Sequence, residues 1–215
     1  MSDQKTLKER SRAGEKINIV RIPMSSSREQ VLEVIDQNPC DILYIDSQHG
    51  AHTEWDVARI CSAVEELGVL VQLRIKHRRH AYLIGSYLDL GVFAIKVPQV
   101  EDEATVIEAT NSFYFPPIGK RSWGGAVGYG IKGQSNRREY AEWWSSNGIL
   151  GIKIESIRAV INVRELAKPG VDYLDFGPQD LLFDLETKSH PRLKTLEDCA
   201  EHIEREPEGS HIRIM

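Results

Sequence analysis

Four short polar signals fall where an α/β chain would end its strands, and their spacing restricts what the chain can become. They are Asp46-Ser47-Gln48-His49-Gly50 after DILYID, Arg74 in LVQLRI, Glu155 in ILGIKIE, and Asp180 after DYLDFGP. Positions 49 and 74 are 25 residues apart, and so are 155 and 180, about one strand-plus-helix repeat. The interval from 74 to 155 is 81 residues and has room for three repeats. Parallel strands closing into a barrel would bring all four side chains to the carboxyl rim, where such folds carry their chemistry.

Apolar runs of strand length alternate with segments of helical period, as expected of βα repeats around a parallel sheet. Strands are expected at 17–22, 41–46, 70–75, 92–98, 149–155 and 171–177. Helices are expected at 26–37, 54–68, 82–90, 101–111, 136–146, 157–167 and 195–204. Val57, Ile60, Cys61, Val64 and Leu67 share one face of the second helix, and Gly68 ends it. Tyr140, Trp143 and Trp144 mark the packing side of the fifth, 136–146. Residues 112–135, rich in Gly, Pro, Trp and Tyr, break the rhythm and have room only for a short fifth strand. On this count 149–155 and 171–177 are strands six and seven, and the terminal HIRIM is an eighth with no helix after it. The expected fold is α/β, a (β/α)8 barrel spanning residues 1–215 as one domain, its eighth helix absent or supplied by a neighbouring subunit. An apolar surface left open there would favour association.

Composition excludes several classes. A chain of 215 residues can bury a single core, and a net charge of −5 with a pI near 5.8 argues against a nucleic-acid footprint. The one basic cluster, Lys76-His77-Arg78-Arg79-His80, suits a solvent-facing strand end. Cys40, Cys61 and Cys199 are far apart and in no CxxC pattern, as reduced thiols would be. The N-terminal MSDQKTLKERSRAGEK lacks the apolar run of a secretion signal or membrane helix, so a soluble, cytoplasmic protein is expected.

The chemistry of the rim follows from residue type. Two carboxylates from neighbouring strands suit a hard divalent cation, Mg2+ or Mn2+ with Co2+ a further candidate, and Glu155 and Asp180 fit that description. Asp180 could equally cap a helix. Lys153 shares a strand face with Glu155; it is a candidate salt-bridge partner, substrate-carboxylate ligand or Schiff-base nucleophile. His49 lies between a strand-end acid and a glycine, and Asp46 three residues earlier could orient it as a general base. Arg74 ends an apolar strand, so its guanidinium needs an anionic partner, either a protein carboxylate or a bound oxyanion.

From AGEK near residue 13 to His190-Pro191 the chain also resembles the HpcH/HpaI aldolase family, metal-dependent class II aldolases acting on pyruvate and related 2-oxo acids. The resemblance rests on Ile45-Asp46-x-x-His49-Gly50, Leu73-Arg74, Leu88-Asp89-x-Gly91, Val97-Pro98-x-Val100-Glu101, Pro116-Pro117-x-Gly119-x-Arg121, Ile154-Glu155 and Gly177-Pro178-x-Asp180-Leu181. It implies a hexameric (β/α)8 barrel, a trimer of dimers exchanging the eighth helix, with 2-oxo acid and aldehyde substrates. It implies Glu155 and Asp180 as metal ligands, Arg74 stabilising an enolate and His49 as base, with Asp89 competing with Asp46 to pair with that histidine. Gly177-Pro178 would offer backbone amides to a substrate carboxylate, and Arg121 with Trp123-Gly124-Gly125 would close over the pocket. Two positions depart from many relatives: Gln48 stands where they have Glu, and Lys153 where they have Gln. Each changes the local charge by one unit, on the order of 4 kcal/mol at about 4 Å and an effective dielectric near 20. A decarboxylase or Claisen-type synthase on the same site, and a non-catalytic 2-oxo acid-binding barrel, are the alternatives.

Overall fold

The protein is described by a computed structural model covering residues 5–125, 128–131, 136–206 and 213–214. Its frame is one sheet of parallel strands in sequential order: β1 (Ile19–Arg21), β2 (Ile42–Asp46), β3 (Leu70–Arg74), β4 (Ala94–Val97), β5 (Ile149–Ile154), β6 (Tyr173–Phe176) and β7 (Arg213–Ile214). The sheet curls on itself. Gln72 on β3 donates from Nε2 to the Tyr173 hydroxyl on β6 at 2.8 Å, and the Lys96 ammonium on β4 lies 5.3 Å from the Tyr44 ring on β2 and 5.8 Å from that of Tyr173. Side chains from alternate strands meet in this way only inside a closed or nearly closed wall.

Alternation along each strand separates two shells. Leu43, Ile45, Leu73, Ile95, Val97, Ile152, Ile154 and Leu174 are fully buried on the outer face beneath the helices. Each is worth roughly 1.5–3 kcal/mol when buried, and this shell drives folding. The inner face is therefore free to be polar: Tyr44, Asp46, Gln72, Arg74, Lys96, Lys153, Tyr173 and Asp175 occupy it. Gly151 is required there, because a Cβ at that position would run into the Tyr173 ring.

The helices are α1 (Leu7–Arg12), α2 (Arg28–Gln37), α3 (Glu54–Val64), α4 (Ile84–Asp89), α5 (Glu103–Phe113), α6 (Arg137–Asn147), α7 (Ile157–Ile161), α8 (Val163–Leu166), α9 (Pro178–Thr187) and α10 (Leu196–Arg205). Side-chain caps start them where expected, with full capping boxes at Ser27/Gln30, Thr53/Asp56 and Thr195/Asp198. The helix expected at 157–167 is broken at Asn162, whose Nδ2 donates to the Glu101 carbonyl at 2.9 Å. Among the described residues no helix is long and apolar enough to cross a membrane.

Strand numbering differs from expectation. β4 pairs directly with β5, Ala94 to Ile149 through Val97 to Ile152, so no strand intervenes among the described residues; 126–127 and 132–135 lie outside them. The long middle interval is filled instead by an aromatic cluster. Trp144 and Tyr140 of α6 are fully buried, Trp144 against Phe113 and Phe93 and Tyr140 against Phe115 and Trp123, and Trp144 Nε1 donates to the Phe113 carbonyl at 3.0 Å. The terminal pair Arg213–Ile214 accordingly adds to β6 as a seventh strand rather than an eighth. Eightfold closure is not present among the described residues, whose pairings end at β1 and β7.

Two helices were not expected from sequence, α1 and α9. α1 closes the amino-terminal end of the sheet through Lys8, which is only 3% exposed. Its ammonium donates to Gly148 O at 2.8 Å, Ser145 O at 3.1 Å and the Tyr114 hydroxyl at 3.2 Å, and pairs with Asp172 at 3.1 Å. Burial pulls its pKa below the ordinary lysine value against the opposing pull of Asp172. Removing Lys8 leaves buried Asp172 with Arg12, half exposed, as its cation, so Lys8→Ala should cost about 3 kcal/mol in chemical denaturation, whereas Lys5→Ala, on an exposed pair, should leave the denaturation midpoint almost unchanged.

Candidate active site

All four strand-end signals emerge at the carboxyl edge. Asp46 and Arg74 are register partners at the ends of β2 and β3. The pair is bidentate: Arg74 Nε donates to Asp46 Oδ1 at 2.7 Å, and Nη2 donates to Oδ2. Arg21 from β1 adds a second contact to Oδ2 at 2.8 Å, and the Gln48 N–H donates to Oδ1 at 3.0 Å. Burial opposes the charge on Asp46, yet these donors, Arg74 first, hold its carboxyl below the usual value. Burial likewise opposes the charge on Arg74, and the Asp46 hydrogen bonds, with Tyr44, Asp46 and Glu155 nearby, raise its pKa. The partner Arg74 needed is thus a protein carboxylate. Its Nη1 makes no hydrogen bond among the described residues.

Asp46 is consequently engaged with two arginines. His49 is exposed and shares with Asp46, Arg21 and Met24 a cleft of about 620 Å3, without a hydrogen bond to Asp46. Asp89 closes α4, beside Leu90 and Gly91, where it accepts from Arg121 Nη2 at 2.7 Å. That pair sits away from the His49 cleft, and Arg121 is enclosed by Phe115 and Trp144, 4.6 and 5.1 Å from the two rings. The structure thus brings neither Asp89 nor Arg121 to the other predicted residues within one chain.

Glu155 and Asp180 do meet on one cleft. It encloses about 350 Å3 and is lined by both, with His77, Arg78, Gln99, Glu101, Ser156 and Asp184. Glu155, 4% exposed, follows β5; Asp180 stands exposed in the first turn of α9, after β6. Glu155 accepts from the Gln99 N–H at 2.8 Å on Oε2 and from Lys153 at 2.6 Å on Oε1. Glu101 and Asp184 are committed elsewhere: Glu101 to Arg78 at 2.7 Å and Ser156 at 2.8 Å, Asp184 to the Ile157 N–H at 2.9 Å and Lys188 at 2.6 Å. The Asp180 carboxylate makes no hydrogen bond or ion pair among the described residues. Two carboxylates, one of them unpartnered, form an all-oxygen donor set of the kind a hard divalent cation takes, with water completing the shell. Among the described residues no three His, Cys, Asp or Glu side chains converge to hold an ion between themselves.

The Gly177-Pro178 turn has a steric role. The Gly177 N–H donates to Ile154 O at 2.9 Å and Pro178 has none, so the free amides at this end of α9 are those that follow. A Cβ at Gly177 would stand 2.5 Å from Glu155 Cγ and 2.9 Å from Lys153 Nζ, so glycine lets the backbone pass close over both. Sequence reasoning missed Lys96 and Asp175, which form an ion pair of 2.9 Å beneath the Lys153–Glu155 pair. Strand alternation, which turns Lys96 inward with Ala94 and Asp175 inward with Tyr173, was the available signal.

A sequential parallel sheet with acids and a guanidinium gathered at its carboxyl ends has the layout of barrel enzymes. The chain belongs to the HpcH/HpaI aldolase/citrate lyase family, whose model matches residues 22–207. It is 24% identical over 185 residues, 84% of this chain and 68% of the relative, to the 2-keto-3-deoxy-L-rhamnonate aldolase of Salmonella gallinarum. It is 27% identical over 159 residues to the 2-dehydro-3,6-dideoxy-6-sulfogluconate aldolase of Pseudomonas putida, covering 74% of this chain and 61% of that one. Among solved structures, an HpcH/HpaI aldolase from Desulfitobacterium hafniense DCB-2 superposes with a TM-score of 0.82 at 24% identity, over 98% of this chain and 81% of that one.

The Asp46 clamp predicts a pH dependence. Its folded pKa lies below the unfolded value of about 3.9, so its contribution is fully present above that value and is lost as pH falls through the folded one. Asp46→Asn should destabilise the protein by about 3 kcal/mol at pH 7. That difference, followed by denaturation at successive pH values, should shrink toward zero on acidification below pH about 4.

Proposed function

We propose that the chain catalyses reversible aldol cleavage and addition of 2-oxo acids through a pyruvate-type enolate, with a divalent cation at Glu155 and Asp180. The observation that carries this reading is the meeting of those two carboxylates, from the ends of adjacent strands, on one cleft, with Arg74 near enough to Glu155 for its pKa to be raised by that charge. Membership of an aldolase family supports the reaction class. A cation there would supply Lewis acidity to the substrate oxygens. Mg2+, Mn2+ and Co2+ all suit the donor set.

The remaining work falls to side chains. Arg74, oriented by Asp46 through Nε and Nη2, keeps Nη1 for negative charge developing on the enolate oxygen, a preorganised donor that need not reorient. His49, exposed in the neighbouring cleft, is placed to move the proton of the aldol hydroxyl. The Gln179 and Asp180 amides at the start of α9 suit a substrate carboxylate. The sequential parallel order of the seven strands among the described residues supports the (β/α)8 architecture. Phe183, 70% exposed, and Leu182 give α9 an apolar outer face that supports assembly into a homo-oligomer. The three unpaired cysteines accord with a cytoplasmic setting.

Exchange of pyruvate methyl protons for deuterium, followed by NMR with Mn2+ or Mg2+ present, tests the assignment. Glu155→Gln and Asp180→Asn should each abolish metal-dependent exchange, and Arg74→Ala should lower it by about 100- to 1000-fold. Full exchange in either carboxylate variant would refute the proposed cation site.

A further inference from the structure

Glu155 is held from two sides by unlike partners. On Oε2 the donor is the Gln99 backbone N–H at 2.8 Å, fixed to the chain at a residue of positive φ, 52°. On Oε1 the donor is the Lys153 ammonium at 2.6 Å, on a flexible four-carbon stem and 15% exposed. A second carboxylate, Asp175, lies 4.0 Å from the same ammonium. Lys153 and Asp175 are register partners on β5 and β6, so a small rotation of the stem carries the ammonium from one acid to the other. Gly177, with no side chain to block it, flanks this path. Lys96 already holds Asp175 at 2.9 Å and fixes its position.

We propose that Lys153 is a built-in competitor for the cation position at Glu155. Its ammonium occupies Oε1 in the cation-free protein and moves back to Asp175 when a divalent ion binds. The inference rests on the reading that Glu155 and Asp180 hold the cation, and adds to it a residue that sets how tightly. A divalent ion on Oε1 would compete with the ammonium for the lone pairs of that oxygen and repel its charge, and Lys153 has a second acid, Asp175, within reach. The backbone contact from Gln99 keeps Glu155 in place during the exchange. The cleft is thereby spared an uncompensated buried carboxylate when the ion is absent. Intrinsic affinity is lowered, and loading is left to conditions in which the cation is abundant or arrives with an anionic substrate.

Mn2+ binding to the full chain without substrate, followed by the loss of the free-ion EPR signal, tests this with no reference to turnover. Lys153→Gln should bind about tenfold more tightly than the unaltered protein, equivalent to about 1.4 kcal/mol, while Lys153→Arg should stay close to it. Lys153→Met serves if the glutamine variant does not fold, as judged by circular dichroism. Binding of equal strength in the unaltered protein and the Gln or Met variant would overturn the competition and leave the cation site standing. Absence of binding in the unaltered protein and in these variants alike would overturn the cation site, and the competition with it.

Discussion

Charge brought inside a curled sheet must meet its opposite, and every strand end of this molecule answers to that requirement. Removing an ion from water costs several kcal/mol even after the protein relaxes, so isolated charges on the inner face would unfold the sheet. Instead Asp46 takes Arg74 and Arg21, Asp175 takes Lys96, and Glu155 takes Lys153. Four cations and three acids are joined in this way, and Asp180 supplies the fourth negative charge at the rim. The lining is near neutrality as it stands. A divalent cation would make it strongly positive, and a dianionic enolate would restore the balance. Electrostatics alone thus favours the pair of ion and oxo acid over either by itself.

The outer shell makes this interior affordable. Fully buried aliphatic residues on the helix-facing side of β2 to β6 supply the driving force, and alternation along each strand keeps the two shells apart. Replacing the inner ion pairs by well-packed apolar residues would often be neutral or stabilising. Stability alone does not account for the lining, whereas the chemistry proposed at the rim would. Tyr44 belongs to the same logic. Burial drives its phenol pKa up to about 12, so it stays neutral at physiological pH and packs against Lys96 without contributing charge.

Much of this was legible in the sequence because it is local. Strand ends, capping residues, the kinship of Lys153 with Glu155 and the need of Arg74 for an anion all follow from spacing within a few residues. The strand count was not legible, since 112–147 is long enough for a βα unit, whereas its described residues include Phe113, Tyr140 and Trp144, which pack into the core. Aromatic residues at helical spacing indicate burial without saying what is buried against what. Lys8 was invisible for the opposite reason: a lysine in a charged terminal segment gives no sign that its ammonium will meet Asp172 across 164 positions of chain. Asp89 and Arg121 satisfy one another, a match that two separated motifs could not disclose.

Arg74 links the two clefts of the proposed site. Two of its nitrogens donate to Asp46, which lines the cleft that holds His49, and its pKa is raised in part by Glu155, which lines the other. In the proposed reaction a 2-oxo acid would occupy the second cleft and an aldehyde the first, where His49 lies. Such a division would separate the enolate-forming step from the proton transfer on the acceptor. Rigidity is the part supplied by Asp46, because a guanidinium free to turn would lose to water the donor that the enolate needs. The acid that seemed suited to orient the histidine instead orients the arginine, and under the proposed mechanism it would serve the same reaction from there.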